Sequence, residues 1–167
     1  MSIIRTNQIT DTSGNGTPSF PNGLAGTSGV GKVLQVKQSF LAGTIATGST
    51  SFVTSGVSVD ITPSTTSSRC LLRANIGGFY MEENDDIFAT IYRGSTNLGV
   101  GTQSCFFVVH NDNAQNRYGS GSMEFLDEPK TTNQITYTIF FRTGNSTSVS
   151  LNVDSTGLFL TATEIGG

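Results

Sequence analysis

The sequence lacks tryptophan and contains one histidine, two cysteines and four prolines among its 167 residues. Only 13% of the residues are charged, which is about half the usual fraction. The net charge is −3 and the isoelectric point is about 4.9. This balance argues against a nucleic-acid partner, because binding to phosphates needs a basic surface. With one histidine, a site built from several histidines cannot form within a single chain.

Long apolar runs are also missing. None approaches the roughly 18 to 20 apolar residues that a membrane-spanning helix needs, so no membrane insertion is expected. The N-terminus has no apolar segment of the kind found in signal peptides. Cys70 and Cys105 both lie in apolar, strand-like stretches. They could form one disulfide or remain two reduced core residues, and the second reading is favoured.

Threonine, serine and glycine are abundant, with 24, 20 and 20 residues. This composition favours strands and turns over helices. From Lys32 onward, short stretches alternate apolar and polar residues with a period of two, which is typical of half-buried strands. About nine such strands are predicted, and helical spacing persists nowhere. We therefore expect residues 32–167 to form an all-β domain, an antiparallel β-sandwich or jelly roll.

The alternation also predicts which side chains share a face of each strand. In the first predicted strand, Leu34, Val36 and Phe40 fall on one face. The clearest patterns further along the chain are Val57, Val59 and Ile61; Cys70, Leu72, Ala74 and Ile76; Ile87, Ala89 and Ile91; and Ile135, Tyr137, Ile139 and Phe141.

Residues 1–31 differ from the rest of the chain. They contain too few apolar side chains to offset the entropy lost on ordering. We therefore interpret them as an N-terminal attachment arm and linker that becomes ordered on a partner protein. The beginning of the arm could add an edge strand to that partner, with later apolar residues as anchors. The arm residues predicted to make this contact are Ile3, Ile4, Ile9, Phe20 and Leu24.

Two predicted strands, at residues 106–109 and 139–141, are apolar on both faces. Residues 158–160 nearly show the same pattern. A sandwich strand normally buries one face and leaves the other in water, so these strands need a second cover. Either a loop or the arm of the same chain provides it, or a second copy does. We favour a homo-oligomer, and the predicted interface residues are Phe106, Val108, Phe140 and Phe159.

Several segments carry a resemblance through their order along the chain. They are the leader MSIIRTNQITDTSGNGTPSFPNGL, GVSVDITPS at 56–64, IYRGSTNLG at 91–99, FLDEP at 125–129 and LTATEI at 160–165. They contain 53 of the 167 residues and are spread from residue 1 to residue 165. With them the chain resembles the virion structural or tail-fibre-like proteins of tailed bacteriophages, especially marine and cyanophage-type phages.

This resemblance implies a non-enzymatic virion component, often a homotrimer, with a body similar to the trimeric C1q/TNF-like jelly rolls. The arm would then bind other virion proteins. Such a protein would be assembled in the host cytoplasm and released by lysis. The chain has no room for an extended shaft, so a short tail or head fibre or a capsid-decorating protein fits its length better than a long tail fibre.

Candidates for chemistry are few, and we predict no catalytic residue, cofactor or metal site. His110 lies in an apparent loop with no recognisable nucleophile motif, since the Gly-Ser-Gly-Ser run at 119–122 lacks a strand-to-helix turn. The acidic run at 82–86 lacks the spacing of a calcium-binding loop and is interpreted as a solvated turn. A hydrolase on this scaffold is the weakest reading.

The alternative function is carbohydrate recognition at the tip of a fibre. The longest polar stretch, at residues 110–118, is rich in amides and carries an arginine and a tyrosine. Such side chains form hydrogen bonds with sugar hydroxyls and stack on sugar rings. A host surface glycan is thus a possible partner, although an ordinary surface loop is the plainer explanation. The residues predicted to contact it are Asn111, Asn113, Arg117 and Tyr118.

Overall fold

A computed structural model of the chain describes residues 31–167. The residues predicted to attach the arm, Ile3, Ile4, Ile9, Phe20 and Leu24, lie outside the described residues. The described part contains eleven β-strands, a single 3-10 turn at Val153–Ser155 and no α-helix. The strands are β1 (Val33–Leu41), β2 (Ile45–Thr47), β3 (Val53–Ile61), β4 (Arg69–Met81), β5 (Asp86–Arg93), β6 (Thr96–Asn97), β7 (Phe107–His110), β8 (Arg117–Asp127), β9 (Ile135–Thr143), β10 (Val149–Leu151) and β11 (Leu158–Ile165).

These strands form two antiparallel sheets. In the first sheet β4 is central, with β11 and β10 along one edge and β8 along the other. β1 extends this sheet beyond β11, and β2 extends it beyond β10. In the second sheet β9 lies between β3 and β5, and β6 and β7 pair with the far edge of β5. The prediction of an all-β, antiparallel sandwich is confirmed.

The core lies between the two sheets and follows the alternation of the sequence. In β3, Val57, Val59 and Ile61 are buried, while Ser58 and Asp60 between them are exposed. Each fully buried aliphatic side chain contributes about 1.5–3 kcal/mol to stability. The buried side chains that β4, β5, β9 and β11 add to the same core include Cys70, Leu72, Ala74, Ile76, Ile87, Ala89, Ile91, Tyr137, Ile139, Phe141, Leu158, Leu160 and Ala162.

β1 turns its apolar side outward, away from this core. Val36 is 58% exposed and Phe40 is 66% exposed. The inward side of β1 carries Gln35, whose side-chain amide donates to the buried Glu164 carboxylate at 2.6 Å. Because a buried carboxylate needs hydrogen-bond donors, the polar side of β1 faces inward. The alternation of this strand predicted that its apolar face would be the buried one, and that expectation is wrong.

β8 contains the Gly-Ser-Gly-Ser run, which is an ordinary part of the strand. A side-chain carbon on Gly119 would overlap the ring of Phe79, and one on Gly121 would overlap the ring of Phe107. The two rings pack edge to face, with their centroids 5.7 Å apart. The glycines are thus explained by the space that these aromatic rings occupy.

β4 runs the length of the sandwich and defines its two ends. Arg69 pairs with Ile165 at one end, and Met81 pairs with Arg117 at the other. The 13 residues of β4 span roughly 40 Å. The body begins near Ile165, where the Gly166 N–H donates to the Lys32 carbonyl at 2.8 Å. We call this end proximal, and the end at Met81 distal.

Candidate functional site

The outward side of the first sheet, formed by β1, β11, β4 and β8, carries several exposed apolar side chains. We call it the open face. The strand register places its side chains in three rows that cross all four strands. From the proximal end these rows are Val36, Thr163, Leu71 and Leu126; Gln38, Thr161, Arg73 and Glu124; and Phe40, Phe159, Asn75 and Ser122.

The middle row of the open face is polar, and its groups are paired within the chain. The Gln38 amide donates to the Thr161 hydroxyl at 2.9 Å. Arg73 and Glu124 form an ion pair at 2.6 Å. Because the one cation and the one anion of this row neutralise each other, the open face carries no net charge along its centre. A neutral surface of this kind can approach another copy without electrostatic repulsion.

The rows on either side of this polar row carry apolar or aromatic side chains together with polar ones, Thr163 in the proximal row and Asn75 and Ser122 in the third. Leu126 is 42% exposed in the proximal row. In the third row the rings of Phe40 and Phe159 lie 6.2 Å apart. Towards the distal end of the face, Tyr80 and Tyr118 follow, with ring centroids 5.0 Å apart. Several exposed apolar side chains grouped on one face are typical of a contact surface.

The four predicted interface residues lie on different surfaces. Phe159 belongs to the open face, whereas Val108 and Phe140 lie on the outer side of the second sheet. Phe106 sits at the margin of the core, where its ring packs on Phe125 at 4.9 Å. The second cover that the sequence required for Phe106 therefore comes from the same chain, and the four residues do not form one continuous patch.

The outer side of the second sheet has more internal cover. Tyr92 and Phe140 stack on each other at 4.0 Å, so each ring occupies a face of the other. The Arg142 guanidinium lies 3.8 Å above the ring of Phe88, which is buried. Thr90 is also buried, and its hydroxyl donates to the Asn97 side chain at 2.7 Å. The aromatic residues on the outer side of the second sheet are thus largely paired with one another and with arginine.

At the distal end, the acidic run contains a buried carboxylate, contrary to the expectation of a solvated turn. Asp85 is fully buried and accepts hydrogen bonds from the Thr143 hydroxyl at 2.6 Å and the Asn145 N–H at 2.9 Å. The Gly144 N–H and the Thr147 hydroxyl also donate to it. Burial alone would raise the pKa of Asp85, but these hydrogen bonds outweigh it and lower the pKa.

A polar cleft lies beside this carboxylate at the distal end. It has a volume of about 500 Å³ and is lined by Asn111, Asn113, Ala114, Gln115, Asn116 and Arg117. Three of the four residues predicted to contact a glycan, Asn111, Asn113 and Arg117, are therefore brought together. Tyr118 is not among the lining residues, because it already belongs to β8. The ring of Tyr118 lies on the open face, against the ring of Tyr80. The prediction of a loop over residues 110–118 is corrected at both ends, because His110 belongs to β7 and both Arg117 and Tyr118 belong to β8.

Two further buried carboxylates, Asp127 and Glu164, form hydrogen bonds that connect neighbouring segments at the proximal end. Asp127 accepts from the Tyr137 hydroxyl at 2.6 Å and from Arg93 at 2.9 Å, which ties the end of β8 to the second sheet. Burial, followed by the hydrogen bond to Asp127, raises the pKa of Tyr137 far above its ordinary value. Glu164 accepts from the Ser64 N–H at 2.6 Å as well as from Gln35. No local pattern in the sequence predicts these bonds, because each joins different strands or loops.

The remaining candidates for chemistry are placed as follows. His110 is largely exposed and its Nδ1 lies 3.0 Å from the Asp86 carboxylate. Cys70 and Cys105 are free thiols, and burial raises the pKa of both. Among residues 31–167 no group of three or more His, Cys, Asp or Glu side chains is placed to hold a metal ion. No helix in that range is long and apolar enough to cross a membrane.

Comparison with known proteins adds no assignment to this geometry. No protein-family model matches the chain, and no curated protein shows significant similarity to it.

Proposed function

We propose that this chain is a non-enzymatic structural protein of a bacteriophage virion. In this proposal the body is a short homotrimeric appendage or a capsid-decorating protein, and residues 1–31 anchor it to another virion protein. The proposal is supported by the resemblance to phage virion proteins, which depends on the order of five segments along the sequence. It is also supported by the antiparallel sandwich that the body forms. Assembly in the host cytoplasm and release by lysis follow from the same proposal.

The open face is the observation that carries the proposal. It combines exposed apolar side chains in its outer rows with a polar middle row whose charges are already paired. A second copy of the chain is the occupant that fits best, because a face without net charge does not repel itself. Burial of the exposed surface of Val36, Phe40 and Leu126 would supply hydrophobic free energy at about 25 cal/mol per Å².

Three-fold closure is proposed because the resemblance implies trimeric jelly rolls. In a closed ring each protomer presents two different patches to its neighbours. The open face offers two apolar patches on either side of its polar row, one around Val36 and Leu126 and one around Phe40 and Phe159. The arms of the three protomers would then act together in attachment, which raises the overall strength of binding to the particle.

Removal of the arm tests the attachment half of this proposal. A variant lacking residues 1–24 is supplied to phage particles assembling without the wild-type protein, and its amount in purified particles is compared with that of the full chain. The truncated protein should keep its folded body and its oligomeric mass but be absent from the particles. Normal incorporation of the truncated chain would contradict the proposal.

A further inference from the structure

The cleft at the distal end is the feature that the assembly proposed above does not use. Four of its lining residues are amides and one is an arginine, while no carboxylate lines it among the described residues. Amide side chains both donate and accept hydrogen bonds, and the guanidinium donates only. Its volume of about 500 Å³ falls within the usual range for small-molecule sites.

Asn111 holds the wall of the cleft in place. Its side chain is 1% exposed, and its Nδ2 donates to the Glu82 carbonyl at 3.0 Å and to the Gln115 carbonyl at 2.9 Å. Its Oδ1 is buried and has no hydrogen-bond donor among the described residues. A buried acceptor without a donor is rare in folded proteins and is unfavourable. Asn111 thus fixes two backbone carbonyls beside the cleft, while its Oδ1 is enclosed by the chain.

The other amides of the cleft have fixed backbones and free side chains. The Asn113 carbonyl accepts from the Asn84 N–H at 3.1 Å, which ties the loop to its neighbour. The side chains of Asn113, Gln115 and Asn116 are exposed, and they form no hydrogen bond with any described residue. A backbone ordered in advance reduces the entropy that a ligand must overcome when it binds.

From this arrangement we infer that the distal cleft binds an uncharged saccharide unit. Sugar hydroxyls donate and accept hydrogen bonds, and several neighbouring amides match that double character better than a charged group does. The absence of lining carboxylates disfavours a cationic ligand. Arg117, whose Nη1 also donates to the His110 carbonyl at 3.1 Å, adds further donors at the rim.

The position of the cleft agrees with recognition of an external surface. It lies at the end of β4 opposite to Gly31, where the arm joins the body. The cleft is therefore remote from the residues at which the described body begins. This inference goes beyond the proposed function, since saccharide binding is a property of the body alone and does not depend on joining a particle.

Titration by nuclear magnetic resonance tests the inference on the full chain. The probes are free glucose, galactose, mannose and N-acetylglucosamine, and the signals are the backbone amides. At least one sugar should shift the signals of residues 111–117 in a saturable way, with a Kd on the order of 1 mM for a ligand of about 12 non-hydrogen atoms. The double variant Asn113→Ala/Asn116→Ala should weaken that binding at least about tenfold.

The matched control is Asn133→Ala/Gln134→Ala, which removes two exposed amides at the proximal end and should bind the sugar like the wild type. The inference is overturned if none of the four sugars shifts the signals of the cleft, or if the cleft variant binds as well as the control. Both variants should still enter particles, so failure here is distinguishable from failure of the proposed attachment.

Discussion

The Thr143 hydroxyl donates to the Asp85 carboxylate at 2.6 Å, and both residues are fully buried although 58 positions separate them in the chain. This bond joins the loop that follows β4 to the end of β9. The Asn145 side chain also donates to the Asn84 carbonyl, and the Asn84 N–H donates to the Asn113 carbonyl. Three distal loops, including the one that lines the cleft, are therefore held together around one carboxylate.

Asp85→Asn should be strongly destabilising. The amide that replaces one carboxylate oxygen cannot accept the hydrogen bonds from the hydroxyls and N–H groups, and buried donors are left without partners. We expect a loss of about 3 kcal/mol in the free energy of unfolding, measured by urea denaturation followed by circular dichroism. Asp154→Asn, at an exposed position, should change stability by less than about 0.5 kcal/mol. Equal effects of the two substitutions would contradict the role given to Asp85.

Stability should fall in acid because of two buried carboxylates. Hydrogen bonds outweigh burial and lower the pKa of both Asp85 and Glu164. The native state then holds fewer protons than the unfolded state, so this stabilisation is complete above the unfolded pKa values and is lost as the pH falls through the lowered native ones. The free energy of unfolding should be nearly constant above about pH 5 and decrease below about pH 4.

Variants assign this acid sensitivity to its sources. Asp85→Asn and Glu164→Gln should each be less stable at neutral pH and show a shallower loss of stability below about pH 4 than the wild type. Urea denaturation at a series of pH values measures both effects. Parallel pH profiles for the wild type and both variants would show that these two carboxylates are not responsible.

Gly121→Ala should destabilise the body because the new methyl group meets the ring of Phe107. The expected loss is about 1–3 kcal/mol, the usual cost of overpacking a core. Gly43→Ala is the matched control, since nothing lies within 4 Å of the added carbon. In the background of Phe107→Leu, the effect of Gly121→Ala should shrink, as thermal unfolding of the four combinations will measure. An undiminished effect in that background would argue against the ring contact.

Charge on the open face should disrupt self-association without unfolding the chain. Val36→Glu and Phe40→Glu place a carboxylate at exposed positions of β1, so the body should keep its circular dichroism spectrum. In the oligomer the same carboxylate would be buried without a partner, which is strongly unfavourable. Both variants should elute as single chains in gel filtration. Val108→Glu, on the second sheet, should elute like the wild type, and the opposite pattern would place the interface on that sheet.

The alternation of the sequence was enough to predict the central strands. Val57, Val59 and Ile61 in β3, and the matching positions of β4, β5 and β9, are buried as expected, except for Ile135, which is only partly buried. These strands have neighbours on both edges or lie directly over the core, so burial decides which face turns inward. The period of two carries that information wherever one face is plainly more apolar than the other.

The sequence could not predict features that depend on pairing between distant segments. A period of two shows that Val36 and Phe40 share a face, but not that Gln35 must turn inward to meet Glu164. The burial of Asp85 likewise depends on Thr143, which belongs to another strand. Tyr118 was assigned to a loop because nothing local indicates that β8 begins at Arg117.

The cleft was only partly predictable for the same reason. Its four amides lie within six residues of the sequence, so residues 111–117 could be identified as one polar segment. That Asn111 is buried and holds two carbonyls depends on the position of Glu82 in a different loop. Composition was therefore enough to locate residues 111–117. Only the fold shows that Asn111 is buried while the other amide side chains are exposed.

The molar mass of the full-length protein in solution tests the central claim most directly. Multi-angle light scattering on the purified chain should give about three times the monomer mass of 17.6 kDa, with the open face buried between copies. A mass of one chain at micromolar concentration would contradict self-association through this face, and a mass of two chains would contradict the three-fold arrangement.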